Sequence, residues 1–95
     1  MPDTSLSTRV TVRIVYLARL REALGMPGET LEVEGDRAIT VDTIVGLLRA
    51  RGGAWADVLA AGRAVRFAVN HRVAAPAHVI ADGDEVAIFP PVTGG

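Results

Sequence analysis

Apolar residues along the chain switch between two periods. Val10, Val12, Ile14 and Tyr16 alternate with Thr11, Arg13 and Val15, the period of a half-buried strand. Leu17, Leu20 and Leu24 then recur at helical spacing with Arg19, Arg21 and Glu22 between them, and Gly25 and Pro27 follow as stop signals, so a short helix is predicted. The stretch ETLEVEGD alternates again, Leu31 and Val33 against Thr30, Glu32 and Glu34, and closes on Gly35-Asp36 as a second strand. Thr40 can cap a longer helix, Asp42 suits its positive first turn, and Val41, Ile44, Val45 and Leu48 share one face. Arg49 and Arg51 lie in its last turn, before Gly52-Gly53. Gly46 weakens this main helix by about 1 kcal/mol relative to Ala unless something packs closely there.

AWADVLA, from Ala54 to Ala60, is too short for an independent helix and predicts a helical turn that sets Trp55 or Leu59 on the core. Val65, Phe67 and Val69 alternate as a third strand. From His71 to Glu85 the pattern predicts a connection, with a short extended piece near Val79 and Ile80 and a turn at Asp82-Gly83. The last strand is Glu85 to Phe89, and the polar, patternless residues Met1 to Thr8 form a loose lead-in. One mixed sheet with the main helix on one face satisfies this order: the first two strands pair like a hairpin, the helix crosses behind, and the last strand pairs near the first in the middle. That is an α+β arrangement of the β-grasp, or ubiquitin-like, plan, with a lead-in at 1–8, the domain at 9–89 and a tail at 90–95.

Ninety-five residues suffice for one domain and not for two. The net charge is −1, and the ten basic residues are scattered from Arg9 to Arg72 without a cluster, which argues against a nucleic-acid partner. All of them are arginine, so no side-chain amine is available to accept an isopeptide from another copy. Cysteine is absent, which removes disulfides, thiolate nucleophiles and Cys-ligated metal sites together. No apolar run approaches a membrane span, and MPDTSLSTR lacks the basic start and apolar stretch of a secretory signal; the cytoplasm is the expected location.

Side-chain chemistry is sparse. His71 and His78 have no carboxylate or thiol at ligand spacing and read as surface loop residues. Asp82, Asp84 and Glu85 fit a solvated turn better than a calcium loop or an acid/base pair, and Gly25, Gly28, Gly52 and Gly53 make no phosphate-binding fingerprint. The only serines, Ser5 and Ser7, sit in the lead-in, so nucleophilic catalysis by this chain alone is excluded.

The remaining candidate is the end of the chain. A strongly apolar strand breaks on Pro90 and Pro91, which cannot continue a β-ladder, and four residues later the sequence stops at Gly94-Gly95. Glycines carry no Cβ and make the thinnest backbone a narrow active site can admit. From Pro91 to Gly95 the reach is roughly 16 to 18 Å at full extension. A carboxylate becomes an acyl electrophile only after activation, so another enzyme must adenylate it. A frayed terminus without meaning predicts instead that loss of Gly95 changes nothing.

DGDEVAIFPPVTGG, Asp82 to Gly95, resembles the C-terminal signature of the molybdopterin synthase small subunits, sulfur carriers with a ubiquitin-like fold. YLARLREALG, Tyr16 to Gly25, and FAVNHRVA, Phe67 to Ala74, are similar to the family's first strand-to-helix segment and third-strand region. The resemblance implies that an E1-like adenylyltransferase adenylates Gly95, that a sulfur donor protein converts it to a thiocarboxylate, and that the sulfur passes to cyclic pyranopterin monophosphate in the large synthase subunit. It implies no permanently bound cofactor, ATP used by the adenylyltransferase, and a heterotetramer with the large subunit. Carried over residue by residue, Gly95 is the covalent site, Gly94 lets it enter, and Pro90, Pro91, Val92 and Thr93 form the exit arm. Leu17 and Phe89 are expected on an apolar patch for partners, with a core position the alternative for Phe89, and Arg21 is a candidate contact with the adenylyltransferase, with a solvated helix charge the alternative. Two other readings stay open: a carrier serving thiamine or amino-acid biosynthesis, and a ubiquitin-like protein modifier.

Overall fold

The structure is a computed structural model that describes residues 8–35, 37–60 and 64–91. Val92, Thr93, Gly94, Gly95 and most of the lead-in lie outside the described residues. In chain order the elements are β1 (Thr8–Tyr16), α1 (Arg19–Leu24), β2 (Gly28–Gly35), α2 (Val41–Arg49), α3 (Gly53–Val58), β3 (Arg66–Val69), β4 (Arg72–Ala74) and β5 (Glu85–Phe89).

The alternation read in β1 organises the sheet. Val10, Val12, Ile14 and Tyr16 are all buried, which gives the strand one face for the helices and one for the outside. On one side β1 pairs antiparallel with β2, Val10 opposite Val33 and Val12 opposite Leu31; on the other it pairs parallel with β5, Ile14 opposite Val86 and Tyr16 opposite Ile88. The full order is β2-β1-β5-β3-β4, so the last strand does lie in the middle beside the first. This is the β-grasp plan.

Helix α2 lays Val41, Ile44, Val45 and Leu48 on the inner face of the sheet. Its start is fixed by a reciprocal cap in which the Thr43 N–H donates to Thr40 Oγ at 3.2 Å and the Thr40 N–H donates to Thr43 Oγ at 3.1 Å. Two more of the free N–H groups of its first turn are taken by the crossing segment before β5: Val41 donates to the His78 carbonyl at 3.0 Å and Asp42 to that of Pro76 at 2.9 Å. The expected helical turn is α3; Leu59 just after it is buried and Trp55 packs partly against the core.

Four expectations need correction. Thr8 belongs to β1, opposite Gly35, rather than to the lead-in. The stretch after Asn70 is not wholly a connection: Arg72–Ala74 forms β4, antiparallel to β3, after a turn in which Asn70 and His71 take φ of 52° and 73°. A hairpin turn of this hand normally advertises itself with glycine, and Asn-His hides it. The extended piece at Val79 is a single bridge to Thr40. Finally, Leu17 does not join the buried row of α1; it precedes the helix and stands 42% exposed while Leu20 and Leu24 are buried.

Two glycines behave oppositely. A Cβ at Gly28 would collide with the carbonyl of Ile14 on the paired strand, whereas one at Gly46 would meet nothing within 4 Å. Gly28→Ala is expected to destabilise the fold by about 1 to 3 kcal/mol, and Gly46→Ala to stabilise it by about 1 kcal/mol. Urea midpoints of the two variants against the parent chain check both signs.

Candidate functional site at the exit of the last strand

The end of β5 is held where β1 turns into α1. The Leu17 N–H donates to the Ile88 carbonyl at 3.1 Å, continuing the parallel ladder one step beyond Tyr16. The chain then bends through Ala18, whose φ of 54° is uncommon for a residue with a Cβ, and Leu20 and Arg21 donate back to the carbonyls of Leu17 and Ala18 at 3.1 Å each. This corner leaves Leu17 pointing away from the helical row, next to the point where Phe89 hands over to Pro90. Pro90 and Pro91 are half-buried and leave the ladder, as residues without an N–H must. Phe89 is half-buried, between the patch and core expectations, and Arg21 is exposed on α1.

The outer face of the sheet carries an apolar row that only the strand register brings together. Gly28, Val15, Ala87, Ala68 and Val73 are direct cross-strand neighbours, one from each strand, on the face opposite the core. Val73 is 74% exposed. The signal was present: Val15, Ala68 and Ala87 occupy the alternate positions that a face meant only for water fills with polar residues. Beside the exit, Arg19, Leu20, Ala23, Val58, Val65 and Pro90 line most of a groove of about 250 Å³.

Under the exit, on the inner face, four side chains lock the end of β1 to the helices. The Arg51 guanidinium donates to both oxygens of Glu29 at 2.8 Å, and the Tyr16 hydroxyl donates to Glu29 Oε2 at 2.6 Å. Trp55 Nε1 donates to the Tyr16 hydroxyl at 3.4 Å, and Arg51 lies 5.0 Å over the indole ring. The Arg51 hydrogen bonds hold the Glu29 carboxyl below its ordinary range. Burial, reinforced by the hydrogen bond to Glu29, pushes Tyr16 up from 10.0 to about 12. The turn at the far end of β5 is pinned as well, Thr11 N–H to Asp82 Oδ1 at 2.7 Å and Gly83 N–H to the Thr11 carbonyl at 2.8 Å, so Asp82 acts as the turn residue expected of it. His71 and His78 are both exposed, and His71 Nε2 lies 3.4 Å from Glu85.

A five-stranded mixed sheet with its last strand central, its helices on one face and its chain leaving through two prolines defines a ubiquitin-like β-grasp protein. The chain belongs to the ThiS family, whose profile matches residues 14–95. The molybdopterin synthase sulfur carrier subunit of Escherichia coli K12 is 37% identical over 84 residues, covering 88% of this chain and 99% of that protein. Among solved structures, a putative molybdopterin converting factor subunit 1 from Pyrococcus furiosus superposes with a TM-score of 0.71 at 26% identity, covering 87% of this chain and 99% of that one. SAMP1 from Haloferax volcanii superposes with a TM-score of 0.67 at 29% identity, covering 90% of this chain and 99% of that one.

Tyr16 is the only tyrosine, so tyrosinate absorbance reports this network alone. Its midpoint is expected near pH 12 rather than 10. Because the folded value is the raised one, the contribution of Tyr16 is complete below pH 10 and lost as pH climbs toward 12; Tyr16→Phe removes that alkaline loss from the denaturation profile. For Glu29 the sign reverses: its contribution is present above 4.5 and disappears as pH falls through the lowered folded value. Glu29→Gln is expected to cost about 1 to 2 kcal/mol at neutral pH, the figure for a charge-assisted bond partly open to solvent, and to flatten the acid limb of the same profile.

Proposed function

We propose that this chain is the sulfur-carrier subunit of a molybdopterin synthase. The observation that carries the reading is the family match, which runs through Gly95, together with a relative of that name aligned over nearly its whole length. The chain is the non-catalytic member of the pair: sulfur transfer is an activity of the complex with the large subunit.

An E1-like adenylyltransferase joins the Gly95 carboxylate to AMP from ATP and releases pyrophosphate. Sulfur delivered by a donor protein then displaces AMP, leaving a thiocarboxylate. The arm from Pro90 to Thr93 carries Gly94-Gly95 into the large subunit, where the terminal sulfur attacks cyclic pyranopterin monophosphate. Hydrolysis of the resulting acyl bond returns the carboxylate for another round, and two transfers make the dithiolene. Acids and bases for these steps belong to the partners, in keeping with a chain that has no Cys and no Ser outside residues 5 and 7.

The docking face is the apolar row described above, continued to the exit by Leu17 and Phe89, with exposed Arg21 as a charged contact on α1. Two small and two large subunits form the complete synthase. Likeness to SAMP1 keeps protein modification as a second reading, which predicts branched peptides carrying this tail on target lysines.

Intact mass after incubation with ATP, an E1-like adenylyltransferase and a sulfide source tests the reading. A gain of one sulfur-for-oxygen exchange is expected in the full chain and not in a chain lacking Gly95; no gain with active control enzymes overturns it. Leu17→Asp and Phe89→Asp are each expected to weaken binding to the large subunit by about tenfold or more, measured by calorimetry, without loss of the folded spectrum.

A further inference from the structure

We infer that arginine, rather than lysine, at positions 19 and 66 keeps the activated tail from acylating its own domain, an inference that rests on the carrier reading because it supposes an activated Gly95. The sequence contains no lysine and no cysteine. Among the described residues, two arginines stand beside the exit. Arg19 is exposed on α1 and shares the wall of the groove with Pro90, and Arg66 is exposed at the first position of β3, in register with Phe89.

An arm that reaches roughly 16 to 18 Å from Pro91 can return its end to either position. A tethered group of this kind meets its neighbours at an effective concentration on the order of millimolar, far above that of a free partner in a cell. An amine there would be a trap. Its neutral form attacks the acyl carbon of the adenylate, a C–N bond forms, and the C–O bond to AMP breaks with its electron pair leaving on AMP. The amine then gives up a proton to water. Nothing is oxidised or reduced, and the product is a closed loop that can no longer carry sulfur.

A guanidinium avoids this outcome. It stays protonated at neutral pH and its nitrogen electrons are delocalised, so it offers five donors and no nucleophile. Arginine at the exit therefore keeps a positive charge near an anionic tail while withholding the group that would capture it. Position matters as much as residue type. Arg9 lies seven residues before Tyr16 on β1, which runs parallel to β5, and so sits about 23 Å down the sheet from the exit level, beyond the arm.

The test releases the full chain from an intein fusion as its Gly95 thioester, which activates the carboxyl without any partner enzyme, and follows intact mass at mildly alkaline pH. The parent chain is expected to yield only the free acid. Arg19→Lys or Arg66→Lys is expected to yield, as its main species, a product lighter than its free acid by one water, with peptide mapping placing the new amide between Gly95 and the introduced lysine. Arg9→Lys is expected to behave like the parent. The inference is overturned if both exit variants hydrolyse as the parent does, if Arg9→Lys closes as readily as they do, or if the parent itself loses water. None of these outcomes depends on the adenylyltransferase, so they separate cleanly from failure of the ATP-dependent sulfur exchange.

Discussion

The parallel pairing of β1 with β5 is the constraint on which the rest of the molecule depends. Parallel neighbours cannot be joined by a tight turn, so nearly the whole chain between Tyr16 and Glu85 must travel out and back, and its helices settle on one face of the sheet on the way. The pairing is clamped at both ends. Asp82 and Gly83 bond to Thr11 where β5 begins, and Leu17 bonds to the Ile88 carbonyl where it ends. Between these clamps Val86 and Ile88 are completely buried. β5 is thus among the most firmly held elements, and Pro90 leaves from a fixed point in a fixed direction.

That arrangement divides the work between two faces. The inner face holds the aliphatic core and, at its exit end, the Tyr16, Glu29, Arg51 and Trp55 cluster, which couples the ends of β1 and β2 to the junction of α2 and α3. The outer face offers a continuous apolar row with Leu17 at its margin. The rigidity of the body comes from beneath, while the side free of helices is left uncovered.

Periodicity revealed the elements that bury one face. β1, β2, α2 and β5 were all legible because their apolar residues recur at strand or helix spacing, and their order led to the correct sheet centre. β4 was not legible: it has three residues, its middle residue Val73 faces outward, and its turn uses Asn70 and His71 in place of glycine. Leu17 misled in a different way. Its spacing from Leu20 and Leu24 is helical, yet Ala18 turns the backbone and strands it outside, a change no single-residue propensity announces. As for the site, the exit at Pro90 could be read from composition at the chain end, whereas the outer row required the register, since it draws one residue from each of five strands.

The free margins of the sheet bear on how such a protein behaves at high concentration. β2 forms one margin and carries Glu32 and Glu34 with side chains in water; β4 forms the other, only three residues long and closed off by Pro76 two residues later. Two copies of β2 laid edge to edge would bring acidic side chains together, and β4 is too short to template a neighbour. Growth by strand addition is discouraged on both sides, so the molecule resists polymerising through its own hydrogen-bonding edges.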